Sequence, residues 1–401
     1  MTLHAWLLGS AVAVGSCTVA YPQEAIRPNG CLSDNATPCL QQAIDAAAKT
    51  RGNVVLPAGT YLLKSPIALA SDIAIIGEPG AIVAPSPDNS EAPQLVYANN
   101  VSNVRIEGVV FDGHGLLVPH ETYMITLDTT KNVVLAHVTL QHMPGHAINF
   151  VAYGSGPGSG GNGIEDSVIS DVGNKWRTTH KLFDRMQAVI FWDESWTTNQ
   201  GNFARNNHFE NTGLDALQIS QQDGFVAEGN SFDLENGERK AIAAGDYGAG
   251  IFVESSIRVV IKGNTIRGAQ GNGIDAPGLI DSSIENNTIT EAGQAGIGIF
   301  RDYDFQKINS SNVTIKNNTV TNNAIWSASI WKAGISIGNG TPADIKISGN
   351  TITDTRPKGK KTQDYGIDVV NSGDVHTRPR GLVIDADNDL AGNQRAKTHG
   401  L

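Results

Sequence analysis

Two carboxylic acids near the middle of the chain have a spacing that suits acid–base chemistry. Glu254 directly follows the segment Gly250–Val253, and Asp275 lies in the similar segment Gly273–Ala276. If these segments are adjacent parallel strands, about 4.8 Å apart with about 3.3 Å per residue, the two backbones lie about 8 Å apart. One carboxyl would donate a proton while the other activates water. Separations of about 6.5–9.5 Å are typical of inverting glycosidases and about 5–5.5 Å of retaining ones, so the estimate slightly favours inversion.

Further acids lie at the expected strand edges and in loops, and each could replace a member of this pair: Asp193, Glu194, Asp215, Asp246 and Asp302. Of these, Asp215 and Asp246 complete the set of candidate catalytic residues. A single acid in such a region is more often a solvated carboxylate, so the prediction depends on the cluster.

Aromatic, amide and charged side chains accompany the acids in the same segments. Flat rings stack on sugar rings, while amides and carboxylates bond to hydroxyl groups, so this mixture is typical of a glycan-binding surface. The expected substrate-binding residues are His146, Asn149, Trp192, Glu194, Gln218, Phe252, Phe300 and Arg301.

A repeated phrase predicts the scaffold that positions these side chains. Eight segments contain a small residue, an aliphatic, a variable residue and a second aliphatic; three successive copies start 23 residues apart, at Gly250, Gly273 and Gly296. Repetition of this kind indicates a solenoid whose coils bury their apolar faces against each other. A period of two then places the aliphatics inside and the variable residues outside.

Aligning the copies gives two outward rows. The first is Asn149, Ile190, Gln218, Phe252, Asp275, Gly298, Ser336 and Asp368. The second is Val151, Trp192, Ser220, Glu254, Pro277, Phe300, Gly338 and Val370. Long insertions flank the phrase and would wall a groove above these rows.

Two features of the repeat concern its small residues and its turns. The small position is always Ala or Gly, which is explained either by close approach of a ligand to the sheet or by a constraint at the turn. Asn pairs such as Asn286-Asn287 suit turns, because Asn tolerates left-handed backbone and can bond to the next coil.

The start of the chain predicts a cap for the solenoid. Residues 39–50 have helical spacing, with Leu40, Ile44 and Ala47 on one face and Gly52 just past the end. The following stretch, Gly52–Tyr61, reads as a strand and a turn. Helix and stretch together resemble the opening of the pectate-lyase superfamily, and Phe111–Gly115 resembles a coil end of polygalacturonase-like proteins. The resemblance implies a single-stranded, all-β, right-handed parallel β-helix of about ten coils with an N-terminal capping helix.

The resemblance also implies a polysaccharide as the substrate, but it supplies no catalytic residues. The chain lacks the motifs that define polygalacturonases, since Asn211-Thr212 is followed by Gly213 instead of Asp. Lyases of this fold often hold Ca²⁺ with carboxylates and remove a proton with a basic side chain. A Ca²⁺ site could comprise Glu254, Asp275, Asp302 and Asp246, with Arg301, Lys240 or His146 as the base. Otherwise the sequence predicts no cofactor and no metal.

The net charge and the amino-terminal residues restrict the classes of binding partner and the cellular location of the protein. The net charge of −11 argues against nucleic acid as a partner. Residues 1–20 resemble an export signal, either an ordinary one with Thr18 and Ala20 before the cut or a bacterial lipobox ending at Cys17, which would carry a lipid anchor. We therefore expect a secreted, periplasmic or cell-envelope protein in which Cys31 and Cys39 could form a disulfide.

The predicted organisation is an export signal at 1–20, an N-terminal segment with the capping helix at 21–60, and a β-helix with groove-lining loops at 61–401. No segment after the export signal reads as a membrane span. The expected function is hydrolysis of glycosidic bonds by carboxylates. The alternatives are Ca²⁺-assisted β-elimination on a uronate-containing polymer and a non-catalytic glycan-binding or envelope solenoid.

Overall fold

The computed structural model describes residues 25–87, 94–115, 122–152, 159–173, 186–193, 201–234, 248–302, 306–326, 329–370 and 379–401. Three parallel sheets follow one another around a single core, and each coil contributes a strand to the first, the second and then the third sheet. The molecule is the predicted right-handed parallel β-helix. The described residues form twelve rungs, compared with the expected ten or so, because the first coils are built without the repeated phrase.

The first sheet has twelve strands: β1 Asn53–Leu56, β4 Ile73–Gly77, β7 Ser102–Glu107, β10 Lys131–Ala136, β13 Gly163–Glu165, β16 Phe203–Arg205, β19 Val226–Glu228, β22 Val260–Lys262, β25 Ile280–Glu285, β28 Ser311–Lys316, β31 Ala343–Ser348 and β34 Val383–Ile384. The second sheet has eleven strands: β2 Gly59–Leu63, β5 Ala81–Pro85, β8 Val110–Asp112, β11 Thr139–Gln141, β14 Val168–Val172, β17 His208–Thr212, β20 Ser231–Asp233, β23 Thr265–Arg267, β26 Thr288–Thr290, β29 Thr319–Thr321 and β32 Thr351–Thr353.

The third sheet contains the repeated phrase. Its twelve strands are β3 Ile67–Ala68, β6 Val96–Asn99, β9 Tyr123–Asp128, β12 His146–Ala152, β15 Val189–Asp193, β18 Leu217–Ser220, β21 Ile251–Glu254, β24 Ile274–Pro277, β27 Ile297–Phe300, β30 Ala333–Gly338, β33 Tyr365–Val370 and β35 Ala396–His399. Aliphatics of the phrase such as Ile251, Val253 and Ile274 are fully buried, which confirms their predicted inward orientation.

The small residues of the phrase are required by packing at the turn. A Cβ added to Gly250 would lie 2.6 Å from Cγ2 of Ile266, which belongs to the second sheet of the next rung. The same crowding recurs at three further rungs: Gly273 with Ile289, Gly296 with Val320, and Gly334 with Ile352. The turn explanation is therefore correct at these positions, and the alternative of close approach by a ligand is not needed.

Asparagines form a continuous ladder at the turn from the first sheet to the second. Nδ2 and the backbone N of each donate to Oδ1 of the next, at 2.9–3.0 Å, from Asn207 through Asn230, Asn264, Asn287 and Asn318 to Asn350. The preceding residues Asn206, Asn286 and Asn317 adopt left-handed backbone. Both predicted roles of Asn are therefore present: the first residue of each pair adopts the left-handed turn conformation, and the second bonds to the next rung.

A helix covers the amino-terminal end of the core. Helix α1 spans Thr37–Thr50, starts two residues before the predicted segment, and buries Leu40, Ala43, Ile44 and Ala47. Its left-handed terminal residue is Arg51, and the backbone N of Gly52 bonds to the carbonyl of Ala47. The helix thus shields edges of the first strands that would otherwise be open to another chain.

The predicted disulfide between Cys31 and Cys39 is present, with the two Cα atoms 5.5 Å apart. It ties the segment before α1 to the helix itself. Replacing both cysteines with Ser is expected to lower the free energy of unfolding by about 2–3 kcal/mol, the loop-closure value for a ring of this length. Denaturant unfolding of both forms under oxidising conditions measures the change. A difference below about 0.5 kcal/mol would contradict the expectation.

Candidate functional site

The outward face of the third sheet has the register that the repeat predicts. Along the first row, Gln218 pairs with Phe252, Phe252 with Asp275, and Asp275 with Gly298. The row continues to Ser336 and Asp368 at one end and to Ile190 and Asn149 at the other. In the second row Trp192 pairs with Ser220, and Ser220 with Glu254. Four consecutive rungs, those of β15, β18, β21 and β24, therefore carry Trp192, Gln218, Ser220, Phe252, Glu254 and Asp275.

Asp275 is half-buried on this face, between Phe252 and Gly298. Burial raises the pKa of its carboxyl to about 6, and the nearby Asn272 amide opposes that rise in part. A carboxyl with this pKa stays protonated in mildly acidic solution and ionises near neutrality. Such a group suits a general acid, since it can hold a proton and release it at ordinary pH.

Glu254 lies one rung away from Asp275 and two residues further along the strand direction. Only 4% of Glu254 is exposed, and one of its carboxylate oxygens accepts a hydrogen bond from Oγ of Ser220 at 3.2 Å. Ser220 in turn accepts one from Nε2 of Gln218 at 2.9 Å. This chain of hydrogen bonds fixes the orientation of the Glu254 carboxylate, as a catalytic base requires.

The predicted aromatic residues flank the two acids. Phe252 and Trp192 are half-buried on the same face. Phe300 is 3% exposed, and its ring centroid lies 5.0 Å from that of Trp331. Phe300 therefore belongs to a packed aromatic pair, which could contact a sugar ring only at its edge.

Two predicted binding residues lie several rungs towards the amino terminus. Oδ1 of Asn149 is buried without a hydrogen-bond partner. His146 is 1% exposed; its ring stacks on Tyr123 at 4.4 Å, and its Nδ1 is 3.0 Å from the carbonyl of Gln187. Asn149 is likewise only 3% exposed, so both side chains are buried in this part of the face.

Three further candidates take part in turns or loops, and a fourth, Asp193, ends strand β15. Asp215 accepts a hydrogen bond from the backbone N of Ala249 at 2.7 Å and so joins two rungs. Asp302, 1% exposed, accepts from the backbone N of Gln306 at 2.7 Å. Nε of Arg301 donates to the carbonyl of Lys307 at 3.3 Å. Asp193 is fully buried. The contacts of Asp215, Asp302 and Arg301 are structural, so Glu254 and Asp275 are the acids that we carry into the proposal below.

Some predictions cannot be placed on the structure. Glu194, Lys240, Asp246 and Cys17 with the export signal lie outside the described residues. Within the described ranges, no three His, Cys, Asp or Glu residues are grouped so that they could hold a metal ion. Because the expected Ca²⁺ site depends on Asp246, we derive no step through a cation. The described part of the chain also contains no helix with the length and apolar character of a membrane span.

The sequence did not single out Asn272; Trp331 belongs to the stretch Trp326–Trp331, whose rings the sequence assigns equally to a sugar subsite or to packing of an insertion. Asn272 lies in the turn before β24, and Trp331 lies just before β30. Alignment of the repeat compares residues within strands only, so side chains that reach the face from a turn give no signal in it.

Comparison with known protein families agrees with this architecture. A model of the family described as rhamnogalacturonase A/epimerase, pectate lyase-like, matches residues 29–275, more than half of the chain. The chain belongs to this pectate lyase-like family. A second model, described as a right handed beta helix region, matches residues 187–380. No curated protein matches this member of the family by sequence.

Solved structures similar to this pectate lyase-like chain share its fold at low identity. The A-module of mannuronan C-5 epimerase AlgE6 from Azotobacter vinelandii is 17% identical, with a TM-score of 0.69, over 91% of this chain and 92% of that one. The Streptococcus pneumoniae surface adhesin PfbA is 16% identical, with a TM-score of 0.66, over 86% and 87%. A mutant tailspike protein of E. coli bacteriophage HK620, in complex with a hexasaccharide, is 14% identical, with a TM-score of 0.64, over 90% of this chain and 62% of that one. At such identities the similarity establishes the fold alone.

Proposed function

We propose that the protein cleaves glycosidic bonds of a polysaccharide on the outward face of its third sheet. Asp275 would protonate the leaving oxygen, and Glu254 would activate the attacking water. The observation that carries the proposal is the environment of Asp275, whose buried carboxyl has a pKa of about 6 beside the ordered carboxylate of Glu254. Two carboxyls in unlike environments are the arrangement that separates an acid from a base.

The surroundings of the two acids support a sugar chain as the ligand. Phe252 and Trp192 offer rings for stacking, and Gln218 offers amide groups on the same face. The hexasaccharide bound to the HK620 tailspike shows that one protein of this fold binds a glycan. Membership of a pectate lyase-like family agrees with the same substrate class.

The separation of the acids favours hydrolysis with inversion. The observed pairing of Phe252 with Asp275 keeps the backbones of Glu254 and Asp275 about one strand and two residues apart, or about 8 Å. Carboxyl groups at a similar separation would leave room for a water molecule between substrate and base.

A panel of polysaccharides tests the proposal with two readouts. Hydrolysis creates reducing ends without new absorbance near 235 nm, whereas β-elimination of a uronate polymer creates both. New reducing ends alone would support the proposed chemistry. Absorbance at 235 nm would replace it with lyase chemistry, and neither signal on a broad panel would favour the non-catalytic binding role.

The pKa of Asp275 predicts how the rate of cleavage depends on pH. Since the acid must be protonated, kcat/KM is expected to fall as pH rises through about 6, approaching a tenfold loss per pH unit above it. Initial rates from pH 4 to 8 at constant ionic strength measure the profile. An alkaline limb that starts above pH 8 would exclude Asp275 as the acid.

A further inference from the structure

The hydrogen bond between Asn272 and Asp275 joins a turn to the centre of the candidate site. Asn272 lies three residues before Asp275, is 0% exposed, and its bond to the carboxyl opposes the rise in pKa that burial causes. The residues paired with Asp275 on the two neighbouring rungs, Phe252 and Gly298, carry no charge, and Glu254 lies on the rung of Phe252. The geometry of Asn272 therefore bears directly on how Asp275 holds its proton.

The main chain around Asn272 is fixed by the preceding and the following rung. The backbone carbonyl of Asn272 accepts a hydrogen bond from N of Gly250 at 3.4 Å, and N of Gly271 donates to the carbonyl of Gly248 at 2.8 Å. On the other side, the carbonyl of Gly271 accepts from N of Gln294 at 2.9 Å. These bonds hold the Asn272 side chain in a constant position relative to the strand that carries Asp275.

The side-chain amide of Asn272 has one orientation that satisfies both of its partners. Its Oδ1 accepts a hydrogen bond from the backbone N of Ala295, on the next rung, at 3.0 Å. Its Nδ2 then faces Asp275, and lies 3.1 Å from the position that a Cβ of Gly298 would occupy. The reversed amide would set Nδ2 against the N–H of Ala295 and Oδ1 against the carboxylate, so both contacts would be repulsive. Asn272 is therefore a fixed donor to Asp275.

An equivalent position two rungs away shows which part of this arrangement the fold requires. Asp215 precedes the repeated phrase at Ala216, just as Asn272 precedes the copy at Gly273. Oδ1 of Asp215 accepts a hydrogen bond from the backbone N of Ala249 at 2.7 Å, so a carboxylate joins two rungs there as the amide does at Asn272. The bond between rungs therefore does not require an amide. The Nδ2 donor, which Asp lacks, is the part of Asn272 that the fold leaves unexplained.

We propose that Asn272 is a positioning residue that determines which oxygen of Asp275 carries the proton used in cleavage. An amide N–H can only donate, so the Asp275 oxygen that it contacts accepts, and the proton is favoured on the other oxygen. From there the proton passes to the leaving oxygen of the glycosidic bond. The carboxylate that remains keeps the bond from Asn272, which stabilises the negative charge as it develops. This inference rests on the proposed function, because it assumes that Asp275 is the acid.

Asn272→Asp removes the donor and keeps an acceptor for the bond between rungs, as the contact of Asp215 shows. The introduced carboxyl adds a like charge beside Asp275, so the pair loses its last proton at higher pH. The alkaline limb of kcat/KM should therefore move upwards by about one pH unit or more, and kcat at about pH 5 should fall about tenfold. Asn132→Asp is the matched control, since Asn132 is exposed at the start of β10; it should leave both quantities unchanged.

Asn272→Ala separates loss of the donor from damage to the packing. Because this variant adds no charge, the alkaline limb should again move upwards, by about half a pH unit to one unit. If Asn272 only supported the turn, Asn272→Ala would admit water to Asp275. The pKa of Asp275 would then fall towards that of a solvated carboxyl, and the limb would move downwards. A downward movement in either variant would overturn the assignment of Asn272 as the donor.

A titration that does not depend on cleavage separates failure of this inference from failure of the proposed function. Carbon-13 NMR of protein labelled at its aspartate carboxyls follows Asp275, whose signal is the one absent from Asp275→Asn. In Asn272→Ala the midpoint of this signal should rise by about half a pH unit to one unit. A raised midpoint with an unmoved alkaline limb, or without cleavage of any polysaccharide, would keep Asn272 as the residue that orients the Asp275 proton and remove Asp275 as the acid. An unchanged or lowered midpoint would overturn the inference, even if Asp275→Asn is inactive.

Discussion

Replacing Asp275 with Asn is expected to lower kcat for polysaccharide cleavage by about 10²- to 10⁴-fold, the usual contribution of a general acid. Asn has nearly the shape of Asp but no proton to give to the leaving oxygen. Initial rates of reducing-end release measure the loss. The matched control is Asp233→Asn, which removes a half-buried carboxyl from the outward face of the second sheet and should leave kcat unchanged.

The same variant should be more stable than the wild type at neutral pH. Because burial raises the pKa of Asp275 above that of an unfolded carboxyl, the native state binds the proton more tightly than the unfolded state. The need to ionise this carboxyl in the native state therefore lowers the free energy of unfolding. This loss is absent below about pH 4 and develops as pH rises through about 6. Thermal unfolding should therefore give Asp275→Asn the higher Tm at pH 7.5 and an equal Tm at pH 4. Inactivity combined with a lower Tm at pH 7.5 would indicate structural damage instead.

The second large effect concerns the asparagine ladder. Nδ2 of Asn287 donates to Oδ1 of Asn318 and to the carbonyl of Ile261, and its Oδ1 accepts from N and Nδ2 of Asn264 at 2.9 Å. Asn287→Leu would leave these buried partners unpaired, each at a cost of about 1–3 kcal/mol. We expect the free energy of unfolding to fall by at least about 3 kcal/mol.

Denaturant unfolding with an unchanged m-value measures this loss. Thr288→Ala is the matched control, since Thr288 is the next residue, is exposed and lies on the same rung; its effect should stay within about 0.5 kcal/mol. A loss below about 1 kcal/mol for Asn287→Leu would mean that the neighbours re-form their hydrogen bonds without the ladder.

The repeat predicted the outward rows because it fixes both the direction and the register of each side chain. A period of two assigns Phe252 and Asp275 to the outer face, and equivalent positions in successive copies become neighbours on successive rungs. The pairs from Asn149 to Asp368 follow that rule without a shift.

Features that depend on contacts between different sheets could not be read in this way. Gly250 is small because of Ile266, a residue of another sheet and another rung, and the sequence pattern does not show that contact. The side chain of Asn272 reaches Asp275 from a turn, and the ring of Phe300 lies over Gly298. The repeat alone did not reveal these two contacts. The 4% exposure of Glu254 is likewise not visible in the pattern, which assigns this residue to the outward row.

The most direct test of the central claim compares kcat for Asp275→Asn, Glu254→Gln and the double variant on one susceptible polysaccharide. If the two carboxyls act together on one bond, kcat falls by about 10²- to 10⁴-fold in each single variant. In the double variant kcat is then only slightly lower than in the less active single variant. Wild-type rates in either single variant, or losses that multiply in the double variant, would contradict the claim that this pair is the catalytic site.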